Sequence, residues 1–213
     1  MNCVPIVAHL ARSVKAYRAT IRSSPDVPRQ PCPCCGRLMQ RRGQYRRWAS
    51  EREQDTLLPV FRQYCPVCRK SRGVLAAFLR PYARHVTLLR ETVARARVLG
   101  ETLARAHARV ATDANRVSLR TVQRWWAQTR QRAPAARDAL AEQVVTLFPA
   151  VNPVDVVATA EDVVATAEDA VATLLRLGRV LQQWWVRAAP DRQAWSIGLF
   201  GLCNVQGWVD GLL

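Results

Sequence analysis

Two short stretches, "CPCCG" at Cys32–Gly36 and "CPVCR" at Cys65–Arg69, carry four thiols as two pairs, each pair split by two residues, with 29 residues between the pairs. A C-x-x-C turn can place two thiolates on one ion while its backbone N–H groups point at the sulfurs, and two such turns complete a tetrahedral site. Cys32, Cys35, Cys65 and Cys68 are therefore the expected ligands of one structural Zn2+ per chain. Proline after the first ligand of each pair presets a tight knuckle, and Gly36 suits the strained residue after the second. Arg69 holds that place in the second turn, at a cost of about 1 kcal/mol or more. This is small beside the roughly 10–16 kcal/mol apparent for a structural zinc site. Cys34, at the middle of the first knuckle, is expected to point away from the ion.

Other cysteine chemistry fits less well. Seven cysteines form no complete set of disulfides, and a cytosolic compartment keeps thiols reduced. A thioredoxin-like redox pair needs the motif to open a helix inside a strand–helix–strand unit. Here "GRLMQRRGQYRRW" follows the first pair and alternates as strands do.

The elements that must bring the two knuckles together are short strands. "LMQRRGQYRRW" is expected to form a hairpin turning at Gly43, and "TLLPVFRQYC", Thr56 to Cys65, supplies a strand rich in β-branched and aromatic residues. The expectation is a zinc ribbon, whose small core the ion holds. Its strands carry Arg41, Arg42, Arg46 and Arg47 interleaved with Tyr45 and Trp48. Guanidinium groups hold phosphates and aromatic rings stack on bases. For Tyr45 and Trp48 a second reading stays open, in which they cover the ribbon's own core.

From Val86 the period becomes helical: Val86, Leu89, Val93, Ala96 and Leu99 recur at steps of three and four, Gly100 interrupts, and Leu103, Ala106, His107 and Val110 form a second short face. A third helix starts after Ser118, a good N-cap, with Leu119, Val122 and Trp126 on one side. Its other side carries Arg120, Thr121, Gln123, Arg124 and Gln128. Three such helices describe a helix-turn-helix whose third member enters the major groove. There Arg120 and Arg124 match guanine O6 and N7, and Gln123 matches adenine N6 and N7. The competing reading is a solvated amphipathic face. His85 and His107 are expected as cap and core residues.

Charge supports the polyanion reading. The formal net charge is +16, and residues 1–132 carry 27 basic against 7 acidic side chains, whereas residues 133–213 carry 5 against 9. A polyanion such as nucleic acid would meet the first part of the chain. Only Lys15 and Lys70 are lysines, so nearly all the charge is guanidinium, suited to two parallel hydrogen bonds. The amino terminus has no apolar run long enough for a signal peptide, and "WSIGLFGLCNVQGWVDGLL" is too polar for a membrane span. The expected location is cytoplasmic, with no membrane partner.

The order "CPCCG...RRGQYRR...RQYCPVC...FLRPY" followed by "VSLRTVQRWW" resembles the amino-terminal zinc ribbon and helix-turn-helix of bacterial insertion-sequence transposases, and related stand-alone bacterial proteins, over roughly residues 30–132. In those transposases this region binds terminal DNA repeats, so the resemblance implies DNA contact through the third helix and a structural metal at Cys32, Cys35, Cys65 and Cys68. A transposase also needs three dispersed carboxylates for two metal ions. None stands out in this chain, and no enzymatic activity is expected.

After Arg132 the chain reads as helical, with Pro134 and Pro153 in first turns and Asn152 as a cap. "VVATAED" occurs at 156–162 and again at 163–169, and Val157, Ala160, Val164, Ala167, Val171 and Leu174 alternate at heptad steps. That seam fits packing within the chain or self-association with a second copy or another protein. The expected fold is α+β and mostly α: an amino-terminal helical segment (1–29), the ribbon (30–82), the helix-turn-helix (83–132) and a helical module (133–213). The expected function is zinc-stabilised, sequence-specific DNA binding. The alternatives are a split or degenerate transposase and an adaptor that binds RNA or protein.

Overall fold

The computed structural model describes residues 6–8, 13–23, 27–147 and 170–178. It is α+β. In chain order the elements are β1 (Ile6–Ala8), α1 (Val14–Ser23), β2 (Gln40–Ser50), β3 (Asp55–Cys65), β4 (Lys70–Ala76), α2 (Thr87–Val98), α3 (Leu103–Val110) and α4 (Leu119–Leu147), followed by a helix over residues 170–178. The sheet order is β1-β4-β3-β2, with β1 parallel to β4 and the other pairs antiparallel. β1 and β4 went unforeseen, because three residues of "IVA" and seven of "KSRGVLA" are too short to show a period.

The hairpin expected to turn at Gly43 is instead one continuous strand. β2 runs through Gly43, whose φ of +87° serves a bulge between Arg41 and Gln44, and the reversal comes later, between Ser50 and Asp55. A glycine at positive φ serves a bulge as readily as a turn, so the residue type alone did not separate the two.

One apolar cluster joins sheet to helices. Leu58, Val60 and Leu75 from the sheet, Leu89 and Val93 from α2, Ala106 and Val110 from α3, and Val122, Trp125 and Trp126 from α4 are all buried within it. The boundary expected at 82/83 therefore falls inside continuous packing. Ala133, Ala136 and Leu140 extend the cluster along α4, and Val171 and Leu174 reach it from the helix at 170–178. Those two seam positions are thus packed within the chain; the repeat at 156–169, Asn152 and Pro153 lie outside the described residues.

Pro134 does not open a new helix but sits within α4. A proline there forfeits one backbone bond and strains the helix by about 3 kcal/mol. Its ring lies on the exposed side while Ala133, Ala136 and Leu140 bury the opposite one. No described helix is long and apolar enough to cross a membrane.

Candidate metal centre and basic surface

The two C-x-x-C turns converge. Their four sulfurs lie within 4.8 Å of one another, with Cys32 Sγ 3.8 Å from Cys68 Sγ and Cys35 Sγ 3.5 Å from Cys65 Sγ. A tetrahedron of sulfurs about 2.3 Å from an ion has edges of roughly 3.8 Å, so the donors fit one metal ion with little adjustment. Local backbone chemistry builds the knuckles. Gly36 N–H donates to Cys32 O at 2.8 Å and Cys68 N–H to Cys65 Sγ at 3.4 Å. The residues after the second ligands, Gly36 and Arg69, have φ of +70° and +53°, so both turns need the left-handed backbone. Met39 packs with Cys32 and Cys65, flanked by Ile6 and Cys68, a small cluster among the described residues.

The thiols compete for protons. Backbone N–H of Cys34 pulls Cys32 down to about 6, whereas the bond with Cys35 pushes Cys68 up to about 12. Thiolates this close repel one another, and a cation held among them would remove that repulsion. Cys34 stands outside the cluster, its sulfur accepting from Arg72 Nη2 at 3.2 Å.

The basic residues divide into two groups. Arg41, Arg42 and Arg46 are exposed on β2, and Arg42 lies over the Tyr64 ring at 4.6 Å. Arg47 does not join them. It is half-buried and donates through Nη2 to the carbonyls of Arg80, at 3.0 Å, and Ala83, so it clamps the chain leading to α2. Tyr45 is half-buried against the main core beneath Arg62, 4.9 Å away, whereas Trp48 remains 49% exposed under Arg84. Sequence alone did not single out Arg62 or Arg84, because their aromatic partners come from another strand or a distant loop.

On α4, Arg120, Gln123 and Arg124 are exposed, opposite Val122, Trp125 and Trp126. Ser118 Oγ accepts from Thr121 N–H at 3.2 Å and lies 2.9 Å from its hydroxyl; both side chains are occupied in capping. Gln128 is turned inward, accepting from the buried Arg90 at 3.0 Å, and so departs from the expected outer face. Leu119 and Leu99, expected inside, are 39% and 77% exposed, each lying at a helix terminus where the face rotates away from the core.

The turn between α3 and α4 is held by a residue the sequence reading passed over. Asn115 is buried, and its Nδ2 donates to Val110 O at 2.6 Å and to Glu51 O and Arg52 O at 3.1 and 3.3 Å. Its Oδ1 accepts from Thr112 N–H and Val117 N–H at 3.1 and 3.2 Å. The Thr112 hydroxyl also donates to Arg52 O. One amide thus fastens the α3–α4 turn to the β2–β3 turn. His107 Nε2 lies 2.7 Å from Val117 O, and His85 meets the Trp125 ring edge-on at 5.2 Å. His85 thus packs beside α4 and His107 braces the α3–α4 turn; neither caps a helix, and both are half-buried rather than core residues.

A family model described as a domain of unknown function (DUF6431) matches residues 32–125, from the first sulfur ligand to the second turn of α4. No curated protein and no solved structure matches the chain.

Proposed function

We propose that this protein is a zinc-stabilised, sequence-specific DNA-binding protein without a catalytic centre, in which α2, α3 and α4 act as a helix-turn-helix and the four-thiol end as a zinc ribbon. The observation that carries the reading is the outer face of α4: Arg120, Gln123 and Arg124 stand exposed in its first two turns while the opposite side is locked in the core. Such a face offers base-reading groups at the end of a helix that cannot rotate. Charge supports it, since residues 27–50 and 56–90 hold 13 lysines and arginines and no aspartate or glutamate. Zinc is favoured for four thiolates in a tetrahedron. The resemblance to transposase DNA-recognition regions points the same way.

The roles divide accordingly. Arg120, Gln123 and Arg124 read base edges; Arg41, Arg42 and Arg46 hold phosphates; Ser118 and Thr121 fix the helix start; Arg47 and Gln128 brace the scaffold. Selection of sites from random duplexes by the zinc-loaded full chain tests this. About six phosphate contacts give log K falling with log salt at a slope near −5. Arg124→Ala should flatten the selected motif at one position, worth about 1–3 kcal/mol. Joint replacement of Arg42 and Arg46 by Gln should weaken all duplexes alike. Recovery of no motif, with equal binding to RNA or an acidic polypeptide, would favour the adaptor reading. Strand cleavage with a divalent metal would favour the transposase one.

A further inference from the structure

A second group of exposed basic side chains lies on α1. In α1, Lys15, Arg18 and Arg22 are exposed at i, i+3 and i+7, one stripe of the helix. Val14 and Tyr17 are buried on the other side; the Tyr17 hydroxyl donates to Pro59 O at 2.8 Å, and its ring meets Phe78 edge-on at 6.1 Å. The stripe is therefore fixed to the sheet. With Ala19, and with Gln54 from the β2–β3 turn, it lines an open groove of about 380 Å³ in which none of the described lining residues is acidic. Of the two acids in that turn, Glu51 already accepts from Gln54 Nε2 at 3.4 Å, and Glu53 is exposed, with Arg52 between them.

The turn that contributes Gln54 to this groove also supports the proposed recognition helix. Asn115 and Thr112, in the turn before α4, bond to the carbonyls of Glu51 and Arg52. Groove, turn and α4 start are thus linked through a few hydrogen bonds. From these placements, and resting on the DNA reading above, we infer that the α1 groove binds the phosphodiester backbone of duplex DNA flanking the site read by α4. Seven residues of helix span about 10.5 Å, so the three long side chains can spread over neighbouring phosphates of one backbone. The stripe thus presents three cations to about as many phosphates. Such contacts add affinity and fix register without reading sequence.

The test compares the full, zinc-loaded chain with a Lys15→Gln/Arg18→Gln/Arg22→Gln variant on two duplexes: the selected site alone and the same site extended by ten base pairs at each end. All three side chains are exposed, so the variant should keep the parent's melting temperature. The wild type should bind the longer duplex more tightly, and the variant should lose most of that gain. Its salt slope should be shallower by about 2.7, three contacts at about 0.9 each. Its base preference should be unchanged. A wild type that selects a site, with a variant of equal slope and equal gain from the extension, overturns the groove and leaves the DNA reading intact. A wild type that binds no duplex overturns both. A variant that loses an acidic polypeptide while keeping the long duplex reassigns the groove to a protein partner.

Discussion

The two ends of the sheet are held by different forces. At the sulfur end, Cys32, Cys65 and Met39 are the buried members of a small cluster flanked by Ile6 and Cys68. At the helical end, Leu58, Leu75, Leu89, Val93, Trp126 and Leu140 belong to one large apolar cluster. Apolar burial stabilises by about 25 cal/mol per Å², and the first cluster has too little area to hold a strand pair with arginines along it. An ion bound by the four sulfurs would supply what burial does not. The helical end has its own core and can use its outer face for arginine and glutamine without losing shape. A surface can be dense in guanidinium groups wherever something else, metal or core, fixes the backbone beneath it.

Removing the metal is the strongest way to separate the two ends. Chelation should cost the sulfur end most of the roughly 10–16 kcal/mol apparent for such a site. Trypsin should then cut at Arg37, Arg41, Arg42 and Arg46 before it cuts within α2 and α3, which mass mapping of the first fragments would show. Simultaneous cleavage throughout would mean that the ion holds the whole fold. The reverse perturbation is Leu140→Ala, at a fully buried position of α4, expected to cost about 2–5 kcal/mol. Melting temperature should fall while metal content per chain stays the same.

Within the helical end, Asn115 ties the α3–α4 turn to the reversal of β2 into β3. Asn115→Ala removes its bonds to Glu51, Arg52, Val110, Thr112 and Val117 and should cost about 2–3 kcal/mol in denaturant unfolding, since buried backbone groups lose their partners. An effect below about 0.5 kcal/mol would show that the two turns need no brace. The smallest change expected is a gain. Arg69 holds a φ of +53°, so Arg69→Gly should relieve about 1 kcal/mol of strain and raise the chelator concentration needed to extract the ion. Easier extraction would mean that the arginine side chain itself supports the site.

These contrasts explain which parts could be read from the sequence. The cysteine pairs were legible because two-residue spacing fixes their chemistry locally. So was the face of α4, because Val122 and Trp126 keep helical period whatever they pack on. Arg47 and Gln128 were misplaced because each is drawn inward by a partner far along the chain, the carbonyls of Arg80 and Ala83 in one case and Arg90 in the other. Asn115 left no periodic trace: a buried amide that bonds two turns looks, in sequence, like any loop asparagine. Gly43 was recognised as special, but its positive φ does not tell a bulge from a reversal. Polar side chains whose role is set by tertiary contact are the ones that pattern does not reveal.

The most direct test follows metal content and duplex affinity together as chelator is added to the full chain. The account predicts one ion per chain at the start and a decline of DNA affinity in step with its loss, restored on adding zinc. A folded chain that carries no ion, or one that binds its duplex equally well after the ion has gone, would contradict it.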